Sequence, residues 1–383
     1  MGAGIICARM RKSLFRPLYL FLVIVILIPI IAGLWIWRYV GILAEPILLP
    51  LNEEFQDLPL IPEQPVGMQL THLSFQGWDG TEIPFVIVAK AEEDSARQRS
   101  VRAELTEQQV RKLQNIDYVL VCVEWDHGMQ SALSLADYLT GAGLTCVLWE
   151  PRGKDNARQY CTHGLKESND VPLLINQLAA RCGKERPIIV AVGQGFGADL
   201  LIQATAKDDR IRGIVAIDAL ASLRESISRT MPDTITSKIK LALMDARINS
   251  DRGFECFDVA PVESATNIHR DTPALIVYLQ QDPHIRTIND ALSIYRQLPC
   301  DNKEVWALAT AQDAPDATTR IQHCTVGEGE NERTYDIELQ LKKSKEKAYL
   351  DIIFWLYNQF LTAIDKPHIS TPNRPILTPN SHL

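Results

Sequence analysis

Short apolar runs alternate with amphipathic stretches along most of the chain. Apolar runs of four to six residues separated by helical patterns are typical of strands buried on both faces of a parallel sheet. The sequence therefore predicts an α/β fold, with a mostly parallel central sheet and helices on both faces. The predicted strands cover residues 70–75, 83–88, 118–123, 145–149, 188–192, 214–217, 274–279 and 304–309. The predicted helices cover residues 104–113, 131–140, 171–181, 198–206, 288–297 and 347–364.

Two segments depart from this alternation. Residues 219–270 carry amphipathic helical patterns with no strand between them, which predicts a helical lid over the carboxyl edge of the sheet. The domain is expected to span residues 69–365, and the apolar face of its last helix predicts docking on the core. Residues 366–383 contain four prolines and are predicted to form a disordered tail.

A long apolar segment lies near the N-terminus. Residues 18–37 are uncharged, and these twenty residues match the length with which a helix crosses about 30 Å of hydrocarbon. Tyr19, Trp35 and Trp37 stand near its ends, as in the aromatic belts of membrane interfaces. The apolar core of a cleaved signal peptide is shorter, about 7 to 15 residues. The segment is therefore predicted to be an uncleaved transmembrane helix whose partner is the lipid bilayer.

The charges around this segment predict its orientation. Four basic residues precede it and only Arg38 follows it closely, so the positive-inside rule leaves residues 1–17 in the cytoplasm. The C-terminal domain is then expected to be extracytoplasmic. Residues 38–68 contain five prolines and are predicted to form a stiff stalk between the span and the domain.

The composition argues against several classes of partner. The net charge is −8 and the basic residues are scattered, so no nucleic-acid surface is predicted. No Cys or His spacing indicates a metal site, and no cofactor is predicted. Cys122 and Cys146 lie in apolar runs and are expected to be buried. The candidates for one or two disulfides are Cys161, Cys182, Cys256, Cys300 and Cys324.

A glycine-rich turn joins a predicted strand to a predicted helix at residues 193–197. Its sequence is Gly193-Gln194-Gly195-Phe196-Gly197. A sharp strand-to-helix turn of type G-x-S-x-G is the nucleophile elbow, in which a strained serine projects its hydroxyl at the top of a sheet. Here Gly195 stands at the serine position, and glycine accepts a strained backbone at no steric cost. The sequence thus predicts that the turn is kept and the nucleophile is absent.

The same glycines match a second pattern. Gly193, Gly195 and Ala198 fit G-x-G-x-x-[G/A], and Asp218 ends the next apolar run, which resembles a dinucleotide-binding fingerprint. A nucleotide-binding oxidoreductase is therefore an alternative. That fingerprint normally lies in the first strand–helix unit of its domain, whereas several predicted strands precede Gly193. The position of the turn favours the elbow.

Four features, in this order, resemble the α/β-hydrolase superfamily, particularly its monoacylglycerol-lipase and serine-aminopeptidase-like branch. The hairpin at residues 69–88 resembles the family's opening strands, and residues 135–153 resemble the segment that ends in D-x-R-G. Residues 193–197 take the place of the elbow, and Asp282 stands where the family carries its catalytic acid. The resemblance covers residues 69–364 and implies a hydrolase fold.

The catalytic residues that this resemblance implies are altered together. Gly195 replaces the serine, and the loop that should carry the histidine has none, so that His323 is only a displaced counterpart. Where relatives carry His-Gly in the oxyanion loop, the carboxylates of this chain oppose the charge that such a loop stabilises. That loop reads Glu124-Trp125-Asp126-His127-Gly128.

The sequence therefore predicts a membrane-anchored, extracytoplasmic α/β-hydrolase-like protein that is catalytically inactive. Its expected role is to bind a small molecule or a protein at the former active-site cleft. Two other functions stay open: a divergent ester or peptide hydrolase with a non-standard nucleophile, and the nucleotide-binding oxidoreductase.

Overall fold

The computed structural model describes residues 25–44, 65–123, 129–149, 151–152, 161–253, 260–279, 287–308, 319–326, 333–342 and 345–363. These residues form one ten-stranded sheet with the order β1-β2-β4-β3-β5-β6-β7-β8-β10-β9. The strands are β1 Met68–Gln76, β2 Glu82–Lys90, β3 Tyr118–Cys122, β4 Cys146–Trp149, β5 Ile189–Gln194, β6 Ile211–Ile217, β7 Ala274–Leu279, β8 Lys303–Leu308, β9 Thr319–Val326 and β10 Arg333–Lys342. The helices are α1 Val25–Ala44, α2 Ala96–Glu104, α3 Glu107–Leu113, α4 Leu133–Gly141, α5 Glu167–Cys182, α6 Phe196–Thr205, α7 Leu223–Arg229, α8 Ile235–Arg252, α9 Pro261–Ala265, α10 Ile288–Gln297 and α11 Lys345–Ala363.

The sheet is mixed. Adjacent strands run parallel from β4 through β3, β5, β6, β7 and β8 to β10. At one edge β1 and β2 are antiparallel, and at the other edge β9 is antiparallel to β10. The parallel strands therefore lie at the centre of the sheet, and the antiparallel β1–β2 pair is the predicted hairpin of residues 69–88, whereas the antiparallel β9–β10 pair was not predicted. The apolar runs do not predict the β9–β10 hairpin, because β9 is mostly polar and β10 alternates between polar and apolar residues, so neither forms a run.

The core lies in two layers, one on each face of the sheet. Along β5, Ile189 and Ala191 pack in the layer that contains α5, α6 and α10, whereas Val190 and Val192 pack in the layer that contains α4 and α11. All four side chains are buried. Burial on both faces explains why the central strands are continuously apolar in the sequence.

The order of the strands reverses between β3 and β5. The chain crosses from β3 to β4 on one side and then returns to place β5 on the other side of β3. In open α/β sheets, ligands bind in the crevice outside the carboxyl ends of the strands at such a switch point. Because β5 ends at Gln194, the glycine-rich turn lies at the switch point.

Helix α6 begins in direct contact with the neighbouring strand β3. A Cβ atom on Gly197 would collide with the carbonyl group of Cys122 and would lie 2.8 Å from the backbone nitrogen of Val123. A Cβ atom on Gly193 would lie 2.5 Å from the Cα of Ala198. Both glycines are therefore required by the close approach of two backbones.

A buried arginine links the turn of the first hairpin to helix α5. The guanidinium of Arg152 donates to the two carboxylate oxygens of Asp170 at 2.6 and 2.8 Å and to Asp79 at 2.6 Å. The backbone N–H of Trp78 donates to Asp170 at 3.1 Å. Burial raises the pKa of Asp170, but these donors keep its carboxylate paired. Burial also opposes the ionisation of Asp79, yet the hydrogen bond and charge of Arg152 outweigh it and lower the pKa of Asp79 to about 2.

Helix α1 is long and apolar enough to cross a membrane, and it ends at Ala44. Residues 38–44, predicted as the start of an extended stalk, are therefore helical. The reason is packing, because Val40 and Ala44 are buried against side chains of residues 220–248. Residues 45–64 lie outside the described part of the chain, as do residues 1–24 and 364–383.

Helices α7, α8 and α9 occupy the segment that was predicted to be helical between β6 and β7. Residues 219–270, which contain these three helices, are called the cap segment below. Only α7 and α8 contribute to the apolar cluster against α1, through residues such as Leu223, Leu241 and Ile248.

Two of the cysteines considered for disulfides, Cys182 and Cys300, are not bonded to another cysteine, so the expectation is wrong for these two. Burial raises the pKa of the Cys300 thiol to about 11, and this thiol lies 3.8 Å from the carbonyl oxygen of His269. The thiol of Cys161 accepts a hydrogen bond from the backbone N–H of His163 at 3.3 Å. The side chains of Cys256 and Cys324 lie outside the described residues.

Replacing Gly197 by alanine is expected to destabilise the protein by about 3 kcal/mol, because the added methyl group meets backbone that cannot move aside. Gly183→Ala is the matched control. Unlike Gly197, Gly183 has a positive φ of 68°, and a Cβ atom there has open space around it, so only the backbone strain of about 1–2 kcal/mol is expected. Urea unfolding of both variants in detergent, followed by tryptophan fluorescence, measures the difference. Equal losses would contradict the contact between α6 and β3.

The pKa of Asp79 predicts a pH-dependent contribution to stability. A carboxylate with a depressed folded-state pKa stabilises the protein above its ordinary pKa of 3.8, and this stabilisation is lost as the pH falls towards about 2. Asp79→Asn should therefore lower the melting temperature at pH 7, and the difference from the wild type should shrink between pH 4 and pH 2. Asp209→Asn is the control, because its ion pair with Arg186 is exposed on both sides. A difference for Asp79→Asn that stays constant with pH would contradict the assignment.

Candidate functional site

The glycine-rich turn has the backbone geometry of an elbow. Gly195 lies between β5 and α6 with φ 57° and ψ −121°, a conformation that residues with a side chain rarely adopt. Its N–H donates to the carbonyl of Ile217 on β6 at 2.8 Å, and its carbonyl accepts from the N–H groups of Ala198 and Asp199. The predicted sharp turn with a positive φ at Gly195 is confirmed.

The turn carries little chemistry of its own. Gly195 has no side-chain nucleophile, and the side chain of Phe196 is buried in the core layer that contains α5 and α6. The first turn of α6 also contains Asp199, whose side chain is buried. A carboxylate in this position already interacts with the positive end of the helix dipole. Its negative charge would repel an anion bound at the same end of the helix.

Two buried carboxylates hold the start of the cap segment above this turn. Asp199 Oδ1 accepts a hydrogen bond from the N–H of Leu220 at 2.7 Å. Asp290 Oδ1 on α10 accepts from the N–H of Ala221 at 3.2 Å, and its Oδ2 accepts from Arg229 of α7 at 2.8 Å. The cap segment is therefore fixed to α6 and α10 at its first residues.

The structure places a histidine beside the turn. This histidine was not among the predicted site residues. The ring of His163 meets the ring of Phe196 edge to face, with centroids 6.0 Å apart. His163 has a positive φ of 50°, and its carbonyl accepts from Gln203 Nε2 at 3.1 Å. Gln203 lies eight residues beyond Gly195, or about 12 Å along the axis of α6. The ring of His163 therefore contacts the first residue of α6, whereas its backbone carbonyl bonds to the helix about two turns further along. No sequence signal marks it, because this contact depends on how α5 packs on α6.

The loop that carries His163 is held by a buried glutamate. Glu167 accepts from the N–H and hydroxyl of Thr162 at 2.7 and 2.5 Å and from the N–H of Gly164 at 3.0 Å. These bonds fix the loop before α5 and explain how a non-glycine residue keeps a positive φ there. The geometry assigns Glu167 a structural role.

The other predicted site residues do not meet at the turn within the described structure. His323 lies on the edge strand β9, opposite Asp336 of β10. Five strand spacings separate β9 from β5, a distance of about 24 Å. The positions of Asp282 and of the loop residues Glu124, Trp125, His127 and Gly128 lie outside the described residues.

A serine–lysine contact lies elsewhere in the domain, between α5 and the end of α6. The ammonium of Lys207 donates to Ser168 Oγ at 2.6 Å and to Asn169 Oδ1 at 2.8 Å, and the loss of water around it lowers its pKa. However, Ser168 is fully buried and its hydroxyl donates to the carbonyl of Gly164. The pair therefore joins α5 to the end of α6 and offers no reactive oxygen to a substrate.

The second sequence pattern, the dinucleotide fingerprint, finds limited support. Asp218 follows β6, the strand next to β5, and has a positive φ of 56°. Its N–H donates to the carbonyl of Val277 at 2.6 Å, so the backbone of Asp218 continues the pairing between β6 and β7. Together with Asp199 on the first turn of α6, Asp218 makes this edge of the sheet acidic, which disfavours a pyrophosphate. Within the described residues, no group of three or more His, Cys, Asp or Glu side chains is arranged to hold a metal ion.

Comparisons with known proteins find similarity in structure alone. No protein-family model matches the chain, and no curated protein matches it. Among solved structures, an esterase of Pyrococcus furiosus is 13% identical with a TM-score of 0.46, over 65% of this chain and 85% of the esterase. An acylaminoacyl peptidase of Pyrococcus horikoshii is 15% identical with a TM-score of 0.42, over 63% of this chain and 36% of the peptidase.

An esterase domain from a Rhodothermus marinus protein is similar in the same way, with 12% identity and a TM-score of 0.40 over 62% of this chain and 87% of that domain. Esterases and acylaminoacyl peptidases are α/β-hydrolases. At these identities and TM-scores, neither an activity nor a substrate for this chain follows from the matches.

Proposed function

We propose that this protein is a membrane-anchored α/β-hydrolase-like protein that binds a ligand at the switch point and does not catalyse hydrolysis. The observation that carries the proposal is the conformation of Gly195. Its backbone holds the strained geometry of a nucleophile elbow, with φ 57° and ψ −121°, while the nucleophilic atom is absent. The turn is kept by packing, through Gly193 and Gly197, and this packing does not require a reaction.

The charges around the turn support a preference for ligands without net negative charge. Asp199 lies on α6 and Asp218 follows β6, at the same edge of the sheet as Gly195. Burial raises the pKa of Tyr278 at the end of β7, and the nearby carboxylates of Asp218 and Asp290 raise it further, so its phenol stays neutral and able to donate. A neutral or cationic small molecule, or a protein segment of that character, fits this edge better than a nucleotide does.

The catalytic alternative has no observation in its favour. A hydrolase needs a nucleophile within hydrogen-bond reach of a base, and a base oriented by a third group. Among the described residues, the turn offers a glycine in place of the nucleophile, the ring of His163 meets that of Phe196, and His323 lies five strand spacings away.

Gly195→Ser is expected to give no esterase turnover and no labelling by a fluorophosphonate probe, because no serine–histidine–acid arrangement meets at this turn within the described residues. The serine should also cost about 1–3 kcal/mol of stability, since a residue with a Cβ atom is strained at this φ. Hydrolysis of short p-nitrophenyl esters by the wild type, the variant and a known serine esterase is the measurement.

Turnover by Gly195→Ser would contradict the proposal and would mean that a base is present. The double variants Gly195→Ser/His163→Ala and Gly195→Ser/His323→Ala would then identify it. Loss of activity in only one of the two would name the histidine responsible. Loss in neither would assign the base to another residue.

The anchor and its orientation are part of the proposal. The basic residues before residue 18 favour a cytoplasmic N-terminus, so the domain from residue 69 onwards should face the opposite side of the membrane. Protease added to intact cells should digest the domain and leave a cytosolic marker intact. A domain that is digested only after the cells are permeabilised would reverse the orientation.

A further inference from the structure

Helix α8 is apolar on two opposite sides. Its inner side carries Leu241, Met244 and Ile248, which are buried in a cluster with Val40 and Ala44 of α1. Its outer side carries Ile235 and Ile239, which are 79% and 55% exposed. Ala242 and Ala246 continue this outer stripe at helical spacing, and both are exposed. The outer face of a helix surrounded by water is normally polar, so this stripe requires an apolar neighbour.

The contact with α1 determines the height of α8 relative to a membrane. The guanidinium of Arg247 stacks over the ring of Trp37, 4.9 Å from its centroid. Trp37 ends the uncharged stretch and Arg38 follows it, which marks the boundary of the hydrocarbon region. From Trp37 to Ala44 the helix rises only about 10 Å, and the headgroup layer is about 5–8 Å thick. Helix α8 packs against this segment and therefore lies at headgroup height.

The charges on α8 fit the same location. Lys238 lies beside the apolar stripe and is exposed, and its ammonium lies 3.3 Å from the exposed Asp233 before the helix. Long basic side chains beside an apolar stripe extend to headgroup phosphates while the apolar residues enter the acyl boundary. This arrangement of an apolar stripe with basic residues beside it is typical of helices that lie in the membrane interface.

We propose that α8 is a membrane-surface helix, whose stripe of Ile235, Ile239, Ala242 and Ala246 contacts the lipids of the bilayer crossed by α1. The proposal rests on the anchor proposed above. It adds a second membrane contact, made by the cap segment itself. Because Asp199 and Asp290 fix the start of the cap segment, this contact connects the membrane surface to the turn at Gly195 through one continuous segment.

The test uses the full chain in phospholipid vesicles, with a photo-crosslinking benzoylphenylalanine in place of Ile239. We expect a phospholipid adduct on the peptide that contains position 239, detected by mass spectrometry. The same replacement at Glu185, an exposed residue in the loop that leads into β5, is the matched control and should give no lipid adduct. With the crosslinker at Ala242, the double variant Ile235→Glu/Ile239→Glu should reduce the adduct to the level of that control.

Carbonate extraction of the same vesicles separates this proposal from the anchor. Retention of the chain in the membrane pellet without a lipid adduct at position 239 would overturn the role of α8 and leave the anchor standing. Release of the chain by carbonate would overturn both. A crosslink from position 239 to a second copy of the chain, with no lipid adduct, would assign the stripe to a dimer and overturn the proposal.

Discussion

The close approach of α6 to β3 is the constraint on which the rest of the structure depends. Gly197 meets the carbonyl of Cys122 at a distance that leaves no room for a side chain. A helix that begins so near a neighbouring strand forces the chain to turn within one residue, and Gly195 makes that turn with a positive φ. The same turn lets the N–H of Gly195 donate to the carbonyl of Ile217, so β5 and β6 stay paired up to their carboxyl ends. An elbow is thus an outcome of packing, which persists whether or not a nucleophile stands on it.

The surroundings of the turn show how the domain is held together. Carboxylates are used as structural acceptors: Asp199 and Asp290 bind backbone N–H groups, Glu167 fixes a loop, and Asp170 holds Arg152. All four side chains are buried, and Asp170 and Asp290 also accept from the charged side chains of Arg152 and Arg229. A site surrounded by such groups is acidic and rigid.

Sequence patterns predicted the elements whose signal is local. The central strands were found because burial on both faces leaves continuous apolar runs, and α10 because its apolar face repeats with helical spacing. The turn at Gly195 followed from the glycines, although their cause, contact with Cys122 and Ala198, is visible only in three dimensions. The hairpin of β9 and β10 was missed because neither strand forms a continuous apolar run.

Contacts between distant segments could not be predicted in this way. The approach of His163 to Phe196 depends on the packing of two helices, and the helical end of α1 depends on apolar residues of the cap segment some 180 residues away. Five prolines between residues 38 and 68 indicated a stalk, yet Val40 and Ala44 lie before the first of them and continue the helix.

The bonds at the start of the cap segment have a consequence for how this protein can change over evolutionary time. Asp199 and Asp290 bind the main-chain N–H groups of Leu220 and Ala221, which every amino acid except proline provides. Substitutions therefore keep the attachment as long as residue 220 stays apolar, to fill the cluster with α1, and residue 221 stays small, because Ala221 is buried in the core layer with α6 and α10. The exposed residues of the cap segment can change without detaching it from α6 and α10. One rigid scaffold can in this way acquire new cap surfaces, and with them new binding partners, while its sheet and its turn stay the same.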